Sequence, residues 1–442
     1  MTPRRILVLG SGGREHALAW RLSLDAGVEA VMVAPGNPGM RDVAEVRAGL
    51  DATDPFAVVA LARAERADLV VIGPEAPLVA GVADALRATG IAVFGPQAGA
   101  ARIEGSKAFC REVAAAAGVP MAEGMAFTAA GPAIEYAVRL GAPVVVKADG
   151  LAAGKGVTVC ASLSEAETAI WAALEGRAHG PEGQCVVVEA SLSGPEVSLI
   201  AICDADTALA LPAARDHKRI GEGDTGPNTG GMGAVSPLPE IDAATAEALV
   251  AAFHRPVLAE LARRGTPYRG ALFAGLMLTA DGPRLLEFNA RLGDPETQAI
   301  LPHLAVPLAP LLLAAAHDRL QEAARELGIA GAILPAGPGA SVAVVLAAPG
   351  YPGRPEIGAR ITGLDDLARQ APEARVFYAG VAAGPDGSLV TAGGRVLTVV
   401  GQGRDMAAAA SAAHGAADLV DFPGVQRRRD IGRPLAAVEA AR

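Results

Sequence analysis

Residues 143–157 read Pro-Val-Val-Val-Lys-Ala-Asp-Gly-Leu-Ala-Ala-Gly-Lys-Gly-Val, and this stretch decides the fold. The β-branched run ending in Lys147 has the composition of a buried strand. Gly150, Gly154 and Gly156 then free the backbone to wrap around an anion. Lysines bracket the loop, Lys147 on the strand and Lys155 between the last two glycines. The spacing fails the Walker A test: only three residues separate Gly150 from Gly154, and Gly156 stands where that motif places a Ser or Thr on Mg²⁺. The stretch therefore predicts a phosphate cradle of another kind.

On its N-terminal side, residues 4–102 alternate strand and helix, with strands at 4–10, 28–34, 69–73 and 91–95 and helices from about Arg14, Pro55 and Val79. Such alternation predicts a parallel sheet covered on both faces. The first turn, Gly10-Ser11-Gly12-Gly13-Arg14-Glu15, starts like a dinucleotide fingerprint, but Glu15 occupies the place of the third glycine. A helix N-terminus above glycines still suits a single phosphate. Further strand ends carry Pro35-Gly36-Asn37 and Gly73-Pro74-Glu75, and in an open parallel sheet these ends converge on the ligand crevice. This gives a first domain at 1–104.

A helix at 106–118, opened by Gly105-Ser106-Lys107, leads into a small lobe ending near 190, which holds the lysine strand, a helix at 164–175 with Ser162 or Ser164 as its cap, and a strand at 185–189. The next region, 191–335, contains the longest polar loop in the chain, 215–233, whose length and mixture of charge and glycine predict a functional loop. A helix follows at 243–264, then a hairpin around Ala280-Asp281-Gly282 whose second strand spans 284–288. Strand alternation puts Glu287, Asn289 and Arg291 on one face. Residues 331–340 read as a linker into a last, mainly-β unit at 336–442, with strands at 341–346, 376–382, 389–391 and 395–400 and a helix from about Met406.

The 442 residues suggest two to four domains. Hydrophobic residues make up 51% and aromatics 3%, so aliphatic cores are expected and stacking platforms for nucleic acid are not. A net charge of -10 also argues against a polyanion-coating surface. Four scattered cysteines, Cys110, Cys160, Cys185 and Cys203, have no metal-ligand spacing and predict reduced thiols in the cytoplasm. The basic residues before the first apolar run do not make a signal peptide, because glycines and Arg14-Glu15 interrupt it, and no stretch is long enough to span a bilayer. The end near Arg442 leads to the expectation of a single-function polypeptide, monomeric or weakly dimeric.

A carboxylate and an amide oxygen on one strand face can hold Mg²⁺ together with nucleotide phosphates, which makes Glu287 and Asn289 the metal candidates. Phosphoryl transfer also needs cations on the phosphate oxygens, and Lys107, Lys147 and Arg291 supply them. Glu196 could accept hydrogen bonds from ribose hydroxyls.

The motifs in order are Gly-Ser-Lys at 105, Val-Val-Lys-Ala-Asp-Gly-Leu-Ala-Ala-Gly-Lys-Gly-Val at 145, Gly-x-Glu-Val-Ser at 194, Asp-His-Lys-Arg at 216, Gly-Pro-Asn-Thr-Gly-Gly-Met-Gly at 226 and Glu-Phe-Asn-x-Arg-x-Gly-Asp-Pro-Glu-Thr-Gln at 287. Together they resemble the ATP-grasp ligases, and among these the glycinamide ribonucleotide synthetase family, from Gly10 to Gly432. The resemblance implies an α/β multidomain ATP-grasp fold, with a parallel α/β domain, a small lobe at 105–190, a central α+β domain at 191–335 and a mainly-β C-terminal domain. It implies ATP with Mg²⁺ or Mn²⁺, the nucleotide being held by Lys107, Lys147, Gly154, Lys155 and Gly156, with Glu189 at the adenine and Glu196 at the ribose. Ala190 after Glu189 and Pro195 before Glu196 depart from the family's adjacent acids, so backbone groups are expected to read the adenine edge.

The implied glycine site comprises Asp216, Lys218, Asn228, Gly230, Gly231, Met232 and Asp294, and the implied 5-phosphoribosylamine site comprises Gly12, Gly13, Arg14, Asn37 and Glu75. Arg291, Lys147 and Asp216 would carry the catalysis, through a glycyl phosphate. Two alternatives remain, a non-catalytic nucleotide-binding regulator and an NAD-dependent oxidoreductase. The missing third glycine and the absence of an acid at 35–37 count against the second.

Overall fold

The computed structural model describes residues 2–151, 156–175 and 185–433. Gly154 and Lys155, two of the expected cradle residues, lie outside the described residues. The first sheet comprises β1 (Arg5–Gly10), β2 (Ala30–Pro35), β3 (Glu45–Val46), β4 (Leu69–Ile72) and β5 (Val93–Phe94), all parallel, in the order β3-β2-β1-β4-β5. Ile6 to Leu9 and Leu69 to Val71 are fully buried, as expected for strands covered on both faces. The order reverses between β1 and β4, and the crevice opens at their C-terminal ends. In place of the helix expected from Val79 there are two short ones, Glu75–Val79 and Val82–Ala88. They break at Gly81, whose φ of +82° is open to glycine.

The small lobe is an antiparallel sheet of β6 (Gly124–Phe127), β7 (Val144–Ala148), β8 (Val157–Cys160) and β9 (Val186–Ala190), ordered β6-β9-β7-β8. Helices Ala130–Leu140 and Leu163–Glu175 pack on it. Its core, built from residues such as Ala133, Val144, Val146, Ile170 and Val188, is separate from the rest. Core residues of the other three regions run together, Leu7 and Leu9 with Leu199, Leu272, Val342 and Val399.

The central region contributes β10 (Glu196–Cys203) and β11 (Ala208–Ala210), and the segment expected as a loop at 215–233 is instead largely strand: β12 (Arg215–Asp216), β13 (Arg219–Gly221), β14 (Thr225–Asn228) and, at its end, β15 (Gly233–Ser236). Its glycines and charges carry little strand propensity, so the conformation comes from pairing. β13 and β14 form a hairpin, while β15 pairs with β18 (Ala340–Ala347) in the register Gly233↔Val344. Next come β16 (Gly270–Thr279) and β17 (Gly282–Asn289), the expected hairpin, giving the order β11-β10-β16-β17. The helix expected over 243–264 is Ala243–Leu249 and Arg255–Arg263, joined by a π turn at Val250–His254. Pro256 has no N–H to donate and its ring crowds the preceding turn, which the wider π turn accommodates.

The final sheet is ordered β12-β15-β18-β22-β19, with β19 (Arg375–Tyr378) and β22 (Arg395–Gly403) flanking the small pair β20 (Val381–Ala383) and β21 (Leu389–Thr391) in sequence. It draws β12 and β15 across the expected boundary at 335, and Ile333, in the expected linker, bridges Ala210. The strand expected at 376–382 is divided where Gly380 passes against Gly393, a crossing that leaves no space for a Cβ. Among the described residues no helix is long and apolar enough to cross a membrane.

Candidate active site

A cleft lies between the small lobe and β17, lined by Lys107, Lys147, Gly156, Glu189, Glu287, Asn289 and Arg291 among others. Lys147 is the penultimate residue of β7, and its Nζ lies 2.7 Å from Glu189 Oε2 and donates to Leu286 O at 2.8 Å. The other Glu189 oxygen takes Arg111 Nη1 at 2.6 Å. The Glu189 carboxylate is thus held between two cations at the back of the cleft. No motif marks Arg111, although it lies four residues after Lys107 on the helix Lys107–Ala116, where helical spacing aligns the two.

The Gly-Ser-Lys turn is tied to the lysine loop by Asp149. Its Oδ1 accepts the Lys107 N–H at 2.5 Å and the Ala108 N–H at 3.2 Å, and its Oδ2 accepts the Ser106 hydroxyl at 3.0 Å. The helix N-terminus is therefore capped from the small lobe. Lys107 Nζ donates to Gly150 O at 2.9 Å. Burial pulls the Lys107 ammonium below its usual range, against the pull of Glu287 and Asp149.

Glu287 and Asn289 share a face of β17, with Asn289 Nδ2 3.5 Å from Glu287 Oε1. Burial alone would raise the Glu287 carboxyl, but Lys218, Lys147 and Lys107 outweigh it and hold the group below the usual carboxylate range. Among the described residues no cluster of three or more His, Cys, Asp or Glu forms a metal site. Two adjacent hard oxygen donors fit a divalent cation that takes its remaining ligands from phosphate and water.

Arg291 lies beyond the end of β17 but still lines the cleft. Its Nη2 is 2.9 Å from Glu104 Oε1 and its Nε 3.4 Å from Glu75 Oε2. Glu104, likewise outside every motif, accepts the Ala290 N–H at 2.7 Å and so anchors the chain on which Arg291 rides. Burial lowers the Arg291 guanidinium, but Glu104 and Glu75 more than reverse this and keep it charged.

At the edge of the first sheet the expected ligands are mostly occupied. Glu15 lies in the space that a Cβ on Gly10 or Gly73 would need and accepts the Gly12 N–H at 2.7 Å. This explains an acid in place of the third glycine. Arg14 is buried, paired with Glu15 at 2.6 Å and donating to Leu292 O at 3.1 Å. Asn37 Nδ2 lies within hydrogen-bonding distance of Ser11 O, Tyr378 O and Ala379 O, and its Oδ1 accepts from Gly39. Asn37 therefore fastens the turn to the C-terminal region. Asp294 faces Gly12, ion-paired to Arg395 at 2.9 Å and accepting from Gln298 at 2.7 Å. Burial raises the Asp294 carboxyl, but Arg395 and Arg14 prevail and hold it low.

The remaining expected residues lie around the 216–233 segment. Lys218 bridges Glu196 and Asp216, the latter at 3.2 Å. Glu196, expected at the ribose, is engaged by Lys218 and is not among the residues lining the cleft. Asn228 ends β14, and Gly230 O receives Arg395 while Gly230 N–H reaches the Tyr351 hydroxyl at 2.8 Å. Gly231 packs on Pro295 at a φ of +108°. Met232 contributes backbone only, its side chain being wholly within the core. Glu296, inside the motif at 287–298 but given no role there, is buried and accepts the Ser198 hydroxyl at 3.0 Å. Burial and the nearby Asp216 charge push its carboxyl up to about 7.

The chain is similar to known proteins along nearly its whole length. Sequence profiles of phosphoribosylglycinamide synthetase match in three consecutive parts, the N domain at residues 4–104, the ATP-grasp (A) domain at 105–297 and the C domain at 341–434. The chain is 46% identical to a phosphoribosylamine–glycine ligase of Agrobacterium fabrum over 99% of its length and 100% of the relative's. It is 48% identical to one of Streptomyces coelicolor, over 98% and 99%. The crystal structure of a phosphoribosylamine–glycine ligase from Thermotoga maritima superposes with a TM-score of 0.81 at 33% identity, covering 96% of this chain and 99% of that one. Fold, cleft and full-length similarity agree: the chain belongs to the phosphoribosylglycinamide synthetase family of ATP-grasp ligases.

Proposed function

We propose that the chain joins glycine to 5-phosphoribosylamine in purine biosynthesis, forming glycinamide ribonucleotide, ADP and phosphate from ATP. The observation that carries the reading is the convergence of Lys107, Lys147, Glu287, Asn289 and Arg291 on one cleft. Lys107 and Lys147 bind the ATP phosphates, and Arg111 and Glu189 hold Lys147 in place from behind. Glu287 and Asn289 hold the divalent cation, Mg²⁺ with Mn²⁺ as the alternative, which supplies charge neutralisation on the phosphates. Gly154 and Lys155 belong to the same reading on sequence grounds.

In the first step a glycine carboxylate oxygen attacks the γ-phosphorus and ADP leaves. In the second, the amine of phosphoribosylamine attacks the glycyl carbonyl, the C–O bond to phosphate breaks, and the nitrogen loses a proton. Arg291, kept charged by Glu104 and Glu75, stabilises the oxygen charge in both steps. Glycine binds beside Asp216, Lys218 and residues 228–231. The sugar phosphate uses the backbone of Gly12 and Gly13 with Asp294 and Glu75 nearby, while Arg14 and Asn37 shape that turn. We read the enzyme as cytoplasmic, on the support of four free cysteines.

Mixing the protein with ATP, Mg²⁺, glycine and freshly generated phosphoribosylamine tests this. ADP formation that requires both acceptors is expected. Nucleotide binding without such turnover would instead favour the non-catalytic regulator.

A further inference from the structure

The geometry points to Arg428 as a positioning residue for the glycine side of the site, an inference that rests on the function proposed above. Arg428 is 1% exposed. Its Nε and Nη2 grip Asp430 in a fork, at 2.8 and 2.6 Å, and its Nη1 donates to Asp224 Oδ1 at 2.6 Å and Arg219 O at 3.1 Å. Arg219 opens the β13–β14 hairpin and Asp224 turns it, at a φ of +55°. Two more bonds fasten the same turn: Gly223 N–H donates to Asp430 Oδ2 and Arg429 N–H to Glu222 Oε1, both at 2.9 Å. The tail is itself anchored, since the Ile431 carbonyl lies 2.9 Å from His414 Nε2 and Ile431 packs against Gly233.

The base of this hairpin carries the groups assigned to glycine. Lys218, bridging Asp216 and Glu196, immediately precedes β13, and Asn228 closes β14. The two legs are locked together, because the Thr229 N–H and hydroxyl both donate to Lys218 O, at 2.7 and 2.8 Å. Residues 228–231 therefore move with Lys218, and the hairpin tip that sets both is held by Arg428. A buried ion pair contributes little net stability against its desolvation cost. A rigid planar fork of donors, by contrast, fixes orientation well, and that is the use this arrangement makes of it.

Steady-state kinetics on Arg428→Lys and Asp224→Asn, with ATP, Mg²⁺, glycine and phosphoribosylamine, test the assignment. Lysine keeps the charge but loses the fork, so KM for glycine is expected to rise about tenfold while KM for ATP stays within about twofold. Asparagine tolerates the left-handed turn at 224, and a rise of about threefold is expected there. An unchanged glycine KM in both variants, or ATP and glycine KM rising together, overturns the assignment. If Arg428→Lys yields no folded protein, Asp224→Asn decides on the same criterion. Should the unmodified chain show no glycine-dependent ADP formation, the proposed function fails by itself. Amide exchange then decides the clamp: faster exchange at 219–228 in Asp224→Asn, with β10 unchanged, supports it, and unchanged exchange in the hairpin overturns it.

Discussion

Two glycine turns frame this site, and they differ in whether their charged and polar groups also line the cleft. At the cleft, Lys107 and Lys147 are tied to Gly150 O, Leu286 O and Glu189, yet both still line the open volume together with Glu287 and Asn289. At the edge of the first sheet, Arg14 is committed to Glu15 and Leu292 O, and Asn37 to three carbonyls. The lesson is that a polar residue beside a glycine turn is equally suited to holding a ligand or to holding the turn. Whether it also lines open volume, as Lys107 and Lys147 do, distinguishes the two.

The sharpest way to break that comparison is Glu287→Ala. If the cleft face is functional, turnover falls by about 10³-fold at limiting Mg²⁺ while the thermal midpoint holds, because a metal position rather than a packed core is lost. Unchanged turnover would remove Glu287 from the site. Glu296→Gln tests a group committed internally. The Glu296 carboxyl keeps its proton in the fold up to about pH 7, whereas the unfolded chain loses it near the ordinary glutamate value of 4.5. The native state therefore binds more protons across that window, and stability falls as pH rises through it, by roughly 3 kcal/mol in full. Glutamine retains an acceptor for Ser198 and has no proton to lose, so denaturant titrations from about pH 4.5 to 8 should show a flatter profile. An identical slope in the variant would refute the assignment.

Lys147→Ala should weaken ATP binding about 30-fold, roughly 2 kcal/mol, measured by calorimetry. Lys155→Ala is expected to cost less, and equal losses would contradict the distinction between a strand-fixed and a loop-borne lysine. The smallest effect belongs to the sheet edge: Asn37→Ala should lower stability by about 1 to 2 kcal/mol and leave KM for phosphoribosylamine nearly unchanged. A raised KM with an unmoved melting point would return Asn37 to the ligand list.

Much of the fold is legible in the sequence because periodicity and turn chemistry report local structure. The parallel first sheet, the lysine strand and the β16–β17 hairpin all follow from apolar runs bounded by glycine, proline or aspartate. Residues 215–233 are not legible as strands, since their glycines and charges carry no local propensity: β13 and β14 pair with each other, β12 pairs with β15, and β15 pairs with β18 over a hundred residues away. Arg111, Glu104 and Arg428, and the role of Glu296 within its motif, escape a sequence reading for a related reason. Each acts through a side chain from another segment, and a single charged residue in a helix or tail has the same appearance whether it is solvated or buried in a pair.

The sequence by itself determined the chemistry on offer: the Lys147 strand with its glycine loop, the Glu287-x-Asn289 pair and the ordered motifs that mark the family. Spacing along one strand or one turn suffices for that, because neighbouring residues share a face by geometry alone. The tertiary structure decided which polar groups remain available. It bound Asn37 and Arg14 into the turn, set Glu189 between Arg111 and Lys147, and hung the β13–β14 hairpin on Arg428. Such pairing depends on distances between remote segments, which no local pattern encodes.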